Sequence, residues 1–158
     1  MTVLDAEVQT SIANSVLCWL ATIAPDGTPN VSPKEIFCAS GADRLRIADI
    51  ASPNSVANIR ANPRVCVSFV DVFRQKGFKL TGTAHVIGRR DPGFEDEAAG
   101  LLRLAGPAFP VRHAIIVKVE KAARIIAPSY VLLPDMDEAE RLAGAYRRYG
   151  VRPLQAGA

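Results

Sequence analysis

The sequence predicts an antiparallel α+β domain in which six strands close into a small barrel with helices over its ends. Three observations lead there. A length of 158 residues with 49% apolar content suits one packed core rather than a disordered chain. Short β-branched and aromatic runs are separated by turn residues such as Asp26-Gly27 and Ser40-Gly41. The elements run helix, three strands, short helix, two strands, helix, strand, helix, without the regular strand-helix alternation of a doubly wound sheet. Six strands joined by tight turns close most economically on themselves, which removes exposed edges. We expect a single domain over residues 1–150 and a loose tail over 151–158.

The elements follow from spacing. Leu4, Val8, Ile12 and Val16 recur every four residues, predicting an amphipathic helix with Asp5 near its start. Val16 to Ala24 is apolar and too short for a second helix, and Pro25-Asp26-Gly27-Thr28 is a hairpin turn. The returning strand runs from Asn30 to Cys38, where Pro33 lacks a ladder donor and so marks an edge, a bulge or a ligand-facing irregularity. After Ser40 to Asp43 comes the strand Leu45 to Ile50. A short helix then starts at Pro53 with Ser52 as cap, and Asn62-Pro63 stops it. Arg64 to Asp71 and Gly77 to Ile87 read as strands, Pro92 to Ala105 as a helix ended by Gly106-Pro107, His113 to Ile126 as the last strand, and Met136 to Tyr149 as a terminal helix.

Composition excludes several classes. A net charge of +3 with dispersed basic residues is no nucleic-acid footprint, since that would be clustered and interleaved with aromatics; it does suit a small anionic ligand. Cys18, Cys38 and Cys66 form neither a disulfide framework nor a zinc motif, which fits a reducing cytosol. Acidic residues Asp5 and Glu7 stand where a secretory signal is basic, and no apolar run reaches the roughly 20 residues that span a bilayer. The expectation is a soluble cytoplasmic protein.

One block carries chemistry. The start Ser52-Pro53-Asn54-Ser55 leaves helix N–H groups free, points the positive pole of the helix outward, and has no Glu or Gln of a capping box to compete for that pole. Ser32-Pro33-Lys34-Glu35 would face Asp49-Ile50-Ala51 across the sheet, so both flank this helix start. Taken singly, each piece also describes something plainer: a well-capped short helix, or a solvated Lys34–Glu35 pair. His85 and His113 lie among apolar residues without a neighbouring carboxylate in the sequence and read as satisfied or surface histidines. Cys38 and Cys66 read as core filling. Arg147-Arg148 with Tyr146 and Tyr149 reads as a solvated helical face, and Ser129-Tyr130 as a turn beside a core aromatic.

The succession Asp26-Gly27-Thr28-Pro29, Ser32-Pro33-Lys34, Ser52-Pro53-Asn54-Ser55, Ala57-Asn58-Ile59, Asn62-Pro63-Arg64-Val65 and Gly77 to Ala84 resembles the pyridoxamine 5'-phosphate oxidase-like, FMN-binding split-barrel superfamily over Val16 to Ile87. Within it the chain is most similar to the small FMN-binding and flavin-reductase-like members. The resemblance implies a six-stranded antiparallel split β-barrel with flanking helices, forming a homodimer with two FMN sites at the interface. It places Ser32, Pro33, Lys34 and Glu35 where the second strand meets the flavin, Asp49, Ile50 and Ala51 beside it, and Asn54 and Ser55 at the phosphate. That phosphate pair is often Arg-Lys or Lys-Thr in the family, and neither residue is cationic here, which leaves the charge to Lys34 or to Lys79 of either subunit. F420, or no cofactor, thereby enters as an alternative to FMN.

The implied activity is an FMN-dependent oxidoreductase passing electrons from a reduced nicotinamide or similar donor to a small acceptor, with no side chain as acid or base because the flavin carries the chemistry. The alternatives are a non-catalytic binder of flavin, F420 or haem, and a cofactor-free structural dimer. Vitamin B6 oxidation is disfavoured: that enzyme ends in a Trp followed by Arg-Leu-x-Pro, whereas the sole tryptophan here is Trp19 and Arg141-Leu142-Ala143 runs into Gly144.

Overall fold

The computed structural model describes residues 3–154. Its helices are α1 (Ala6–Asn14), α2 (Pro53–Ala61), α3 (Phe94–Ala105), α4 (Ser129–Leu132) and α5 (Glu138–Tyr149). The strands are β1 (Cys18–Ile23), β2 (Pro29–Lys34), β3 (Phe37–Ser40), β4 (Arg44–Asp49), β5 (Arg64–Asp71), β6 (Lys76–Gly88) and β7 (His113–Ile126). They form one antiparallel sheet in the order β2-β1-β5-β6-β7-β4-β3.

Seven strands replace the expected six because the segment from Asn30 to Cys38 is two strands, not one. β2 ends at Lys34, and after a bend at Glu35-Ile36 the chain re-enters the sheet as β3 at the opposite edge. Three residue steps cover at most about 11 Å, so the two edges of the sheet come together at this bend and the sheet is strongly curled. No ladder joins β2 to β3 among the described residues, so the hydrogen-bonded order of the sheet runs from β2 at one edge to β3 at the other. Ser32 to Glu35 and Asp49 to Ala51 do not face each other in a ladder either; they meet at the corner.

Local chemistry explains the other boundaries. Gly27 takes φ +87° in the β1–β2 turn, where Thr28 N–H donates to the Asp26 carboxylate at 2.9 Å. Asp5 caps α1 through Val8 N–H at 2.9 Å, but the helix stops at Asn14, and Val16 lies exposed instead of extending the apolar stripe. α3 starts at Phe94 rather than Pro92, after Gly93 at φ +81°. The single turn α4 has no apolar period to announce it in the sequence. At Thr81/Gly82 the β6–β7 register slips, Thr81 facing Lys121 and Gly82 facing Val119, so β7 carries an extra residue. A Cβ on Gly82 would lie 2.0 Å from the Lys118 carbonyl oxygen, which is why glycine stands there.

The main core fills the curl: Leu20, Leu45, Ile47, Val67, Phe69, Leu80, Ile115 and Val117 point inward, joined by Val8 and Ile12 of α1 and by Leu4 just before it. A second cluster packs α3, through Phe94, Ala98, Leu101 and Ala105, on Ala48, Ala114 and Ile116. α5 rests on the β5–β6 turn through Tyr146 and Tyr149 against Phe73. No described helix is long and apolar enough to cross a membrane. Of the predicted tail, residues 151–154 form no regular element and 155–158 lie outside the described residues.

Candidate functional site

The corner where β2 breaks from β3 bounds a cleft of about 460 Å³. The bend itself supplies Pro33, Lys34, Glu35 and Ile36; the run from β4 into α2 supplies Ala48, Ile50, Ala51 and Ser52; α3 and the loop after it supply Leu104 and Phe109. A volume within the range of about 300–1,000 Å³, apolar walls and a few polar groups are what small-molecule sites share.

Lys34 is its dominant polar feature. The side chain is 5% exposed, and Nζ donates to Ser52 Oγ at 2.5 Å while standing 4.0 Å from Asp49 Oδ1. Burial pulls its titration below the ordinary lysine value, opposed by the charge of Asp49 and by Cys18. The reverse acts on its strand neighbour: burial pushes the Cys18 thiol up to about 12, with Lys34 lowering it. Cys18 is a core group, not a nucleophile. Asp49, 3% exposed at its side chain, uses both oxygens: Oδ1 accepts from Ser52 N–H at 2.9 Å and Oδ2 is 2.8 Å from His113 Nδ1.

Ser52 stands at the N-cap of α2, but its side chain makes no cap bond; the hydroxyl accepts from Lys34 and Asp49 secures its N–H. Asn54 is exposed at the helix start, where no preceding turn supplies acceptors for the first N–H groups. Ser55 turns away from that pole. It is 1% exposed, its Oγ lies 3.0 Å from Ser32 Oγ, and it accepts from Asn30 Nδ2 at 3.3 Å. Asn30 and Asn58 both donate to Thr22 Oγ1 at 3.1 Å, so a satisfied polar cluster pins α2 to β1 and β2.

The structure thus gathers Pro33, Lys34, Glu35, Ile50 and Ala51 around one cleft with Asp49 behind it, and places Asn54 exposed at the adjoining helix pole. Ser32 and Ser55 join the cluster under α2. Lys79 is elsewhere: it lies exposed on β6, in a cross-strand row with Ser68, Trp19 and Pro33 on the outer face of the sheet. Sequence reasoning missed Leu104, Phe109 and, above all, His113. The carboxylate beside that histidine comes from 64 residues away, through the β4–β7 register that pairs Asp49 with His113. Only that register was a signal for it. His85 is exposed, as expected, and the three cysteines are free. Among the described residues no group of His, Cys, Asp and Glu is arranged to hold a metal.

Residues 4–125 match the family model described as pyridoxamine 5'-phosphate oxidase, more than half of the chain. The chain belongs to the pyridoxamine 5'-phosphate oxidase family. The match ends one residue before the end of β7, leaving α4 and α5 as an extension beyond it. No curated protein matches the sequence. Among solved structures, HupZ from Group A Streptococcus is similar with 24% identity, 73% of this chain and 89% of that chain covered, and a TM-score of 0.63. An FMN-binding protein from Syntrophomonas wolfei subsp. wolfei is 15% identical over 78% of this chain and 90% of its own, with a TM-score of 0.61. An F420 reductase is 25% identical over 73% of this chain and 94% of its own, with a TM-score of 0.57. These likenesses establish the family fold and leave the cofactor to be argued from the cleft.

Proposed function

We propose that the cleft holds a flavin, FMN in the first instance, and that the protein is an oxidoreductase passing electrons from a reduced nicotinamide or similar donor to a small acceptor. The observation that carries the reading is Lys34: a buried ammonium on the wall of a mostly apolar cleft, next to a helix N-terminus. A lysine has three N–H donors, and Ser52 accepts one. Burying a cation with donors to spare is costly unless a ligand completes them.

The residues present suit such a group. Ile36, Ile50, Leu104 and Phe109 offer apolar surface to a flat ring system, Lys34 offers a cation to an electron-rich ring edge or an anionic tail, and the start of α2 offers amides. Neither Asn54 nor Ser55 adds positive charge, so the phosphate of FMN rests on those amides and on Lys34. A bound flavin supplies the hydride-accepting and hydride-donating chemistry itself. The chain orients the ring, limits its contact with water and steadies negative charge near Lys34. Asp49 and His113 are engaged with each other, so neither is assigned as general acid or base.

A homodimer completes the site in this reading. Trp19, Ile23 and Val31, each at least 40% exposed, share the outer face of β1, β2 and β5 with half-buried Ala21 and Cys66. An apolar surface of this kind marks an interaction site, and a second copy of the chain is the partner this reading places there. The second reading is a cofactor carrier without turnover, for which the same cleft and the same Lys34 suffice. F420 suits the same cleft, as the likeness to an F420 reductase suggests.

The test is an absorbance spectrum of purified protein with and without added FMN or F420, followed by anaerobic addition of NADH or NADPH. Binding with bleaching, reversed by an acceptor, supports the enzyme; binding without bleaching supports the carrier. A protein that binds neither cofactor overturns both readings.

A further inference from the structure

The carboxylate of Asp49 and the ammonium of Lys34 are both almost fully buried, yet they do not touch. Paired charges of this kind settle at about 2.7–2.9 Å, whereas Asp49 Oδ1 stops 4.0 Å from Lys34 Nζ. The carboxylate is held from two other sides: Ser52 N–H takes Oδ1 and His113 takes Oδ2. Ser52 belongs to the start of α2, but His113 is on a different strand, does not line the cleft, and has no contact that the flavin reading requires.

We propose that His113 is a positioning residue that holds Asp49 off Lys34, so that the ammonium keeps its remaining donors for a ligand atom in the cleft. The inference rests on the reading that the cleft takes a ligand with an anionic or electron-rich group. The physical reason is competition. A buried carboxylate oxygen stripped of its donor turns toward the nearest cation, and that cation is Lys34. Once the two are in contact, the carboxylate occupies a donor and neutralises the charge that a ligand would meet. With Nδ1 of His113 on Oδ2, the carboxylate is satisfied without closing the pair.

The experiment uses the full chain with His113→Ala, His113→Asn and His113→Gln. An asparagine amide reaches the position of Nδ1, whereas a glutamine amide corresponds to Nε2 and does not donate to Asp49 in the same place. Two readouts are taken: the titration of the Lys34 ε-CH₂ signal by NMR in ligand-free protein, assigned with Lys34→Met, and the FMN dissociation constant from flavin fluorescence. In His113→Ala and His113→Gln the Lys34 titration moves upward and FMN binding weakens by about tenfold, the loss of one charge-assisted hydrogen bond. In His113→Asn both stay close to wild type. The Asn and Gln pair carries the test if the alanine variant does not fold.

An unmoved Lys34 titration in the alanine and glutamine variants, or an asparagine variant that behaves as they do, overturns the proposal. If no form of the protein binds FMN while Lys34 still titrates higher without His113, the positioning role stands and the flavin reading falls.

Discussion

Lys34→Met separates a buried charge kept for a ligand from one kept for the fold. At 4.0 Å and an effective dielectric constant near 20, the attraction to Asp49 is about 4 kcal/mol. Removing an ammonium from water costs several kcal/mol, and the lowered titration of Lys34 means that burial outweighs the attraction of Asp49. Methionine has a similar length and removes both quantities, while Asp49 keeps Ser52 N–H and His113. The free energy of unfolding at pH 7 should therefore stay level or rise by about 1 kcal/mol. FMN binding should weaken by about ten- to hundredfold, since a hydrogen bond to a charged group is worth about 1.5–3 kcal/mol.

The sign with pH follows from linkage. Lys34 titrates lower in the folded chain than the ordinary 10.5, so between those two midpoints the unfolded chain binds more protons and stability rises with pH. The penalty of burying the ammonium is fully present below the folded midpoint and is relieved as pH approaches 10.5; the methionine variant lacks this gain. Urea unfolding at about pH 7 and pH 10, with FMN titration at pH 7, measures all three quantities. A variant that loses about 2 kcal/mol or more at pH 7 yet binds FMN as before would make Lys34 a structural residue and refute the reasoning.

Three other perturbations address other parts of the molecule. Asn54→Asp places a carboxylate at the exposed pole of α2; it should stabilise the helix by about 0.3–1 kcal/mol and weaken FMN several-fold, read by thermal unfolding and titration, and unchanged affinity would place the anionic tail elsewhere. Trp19→Glu should convert a dimer to a monomer in light scattering with unchanged far-UV circular dichroism, and a surviving dimer would move the interface off this face. Gly82→Ala drives a Cβ to within 2.0 Å of the Lys118 carbonyl oxygen, a backbone clash that no rotamer relieves; urea unfolding should show a loss of about 2–3 kcal/mol or more, and a neutral result would mean that the bulge yields easily.

Much of the fold was legible because it rests on local pattern. The strand His113 to Ile126 appears with its predicted bounds, and α2 begins at Pro53 as its start signature requires. The second strand misled for a reason that is not local: residues 30 to 38 read as one extended run, and nothing in their order says that Lys34 and Phe37 belong to opposite edges of the sheet. Ser55 is a similar case. Its place at the helix start pointed to the pole, but helical geometry turns the third residue of α2 toward β2, where Asn30 and Ser32 engage it.

The sequence alone carried the resemblance to the family in the order of its motifs, and it determined the α+β class, the strand and helix periods, and the two short segments that wall the cleft, because each of these is written in spacing over a few residues. Tertiary structure decided what those segments do. It brought Asp49 and His113 together from 64 positions apart, buried Lys34 between them and the cleft, and set Lys79 on another face. Charge and hydrogen bonding depend on distance in space, and only the strand register converts separation along the chain into that distance.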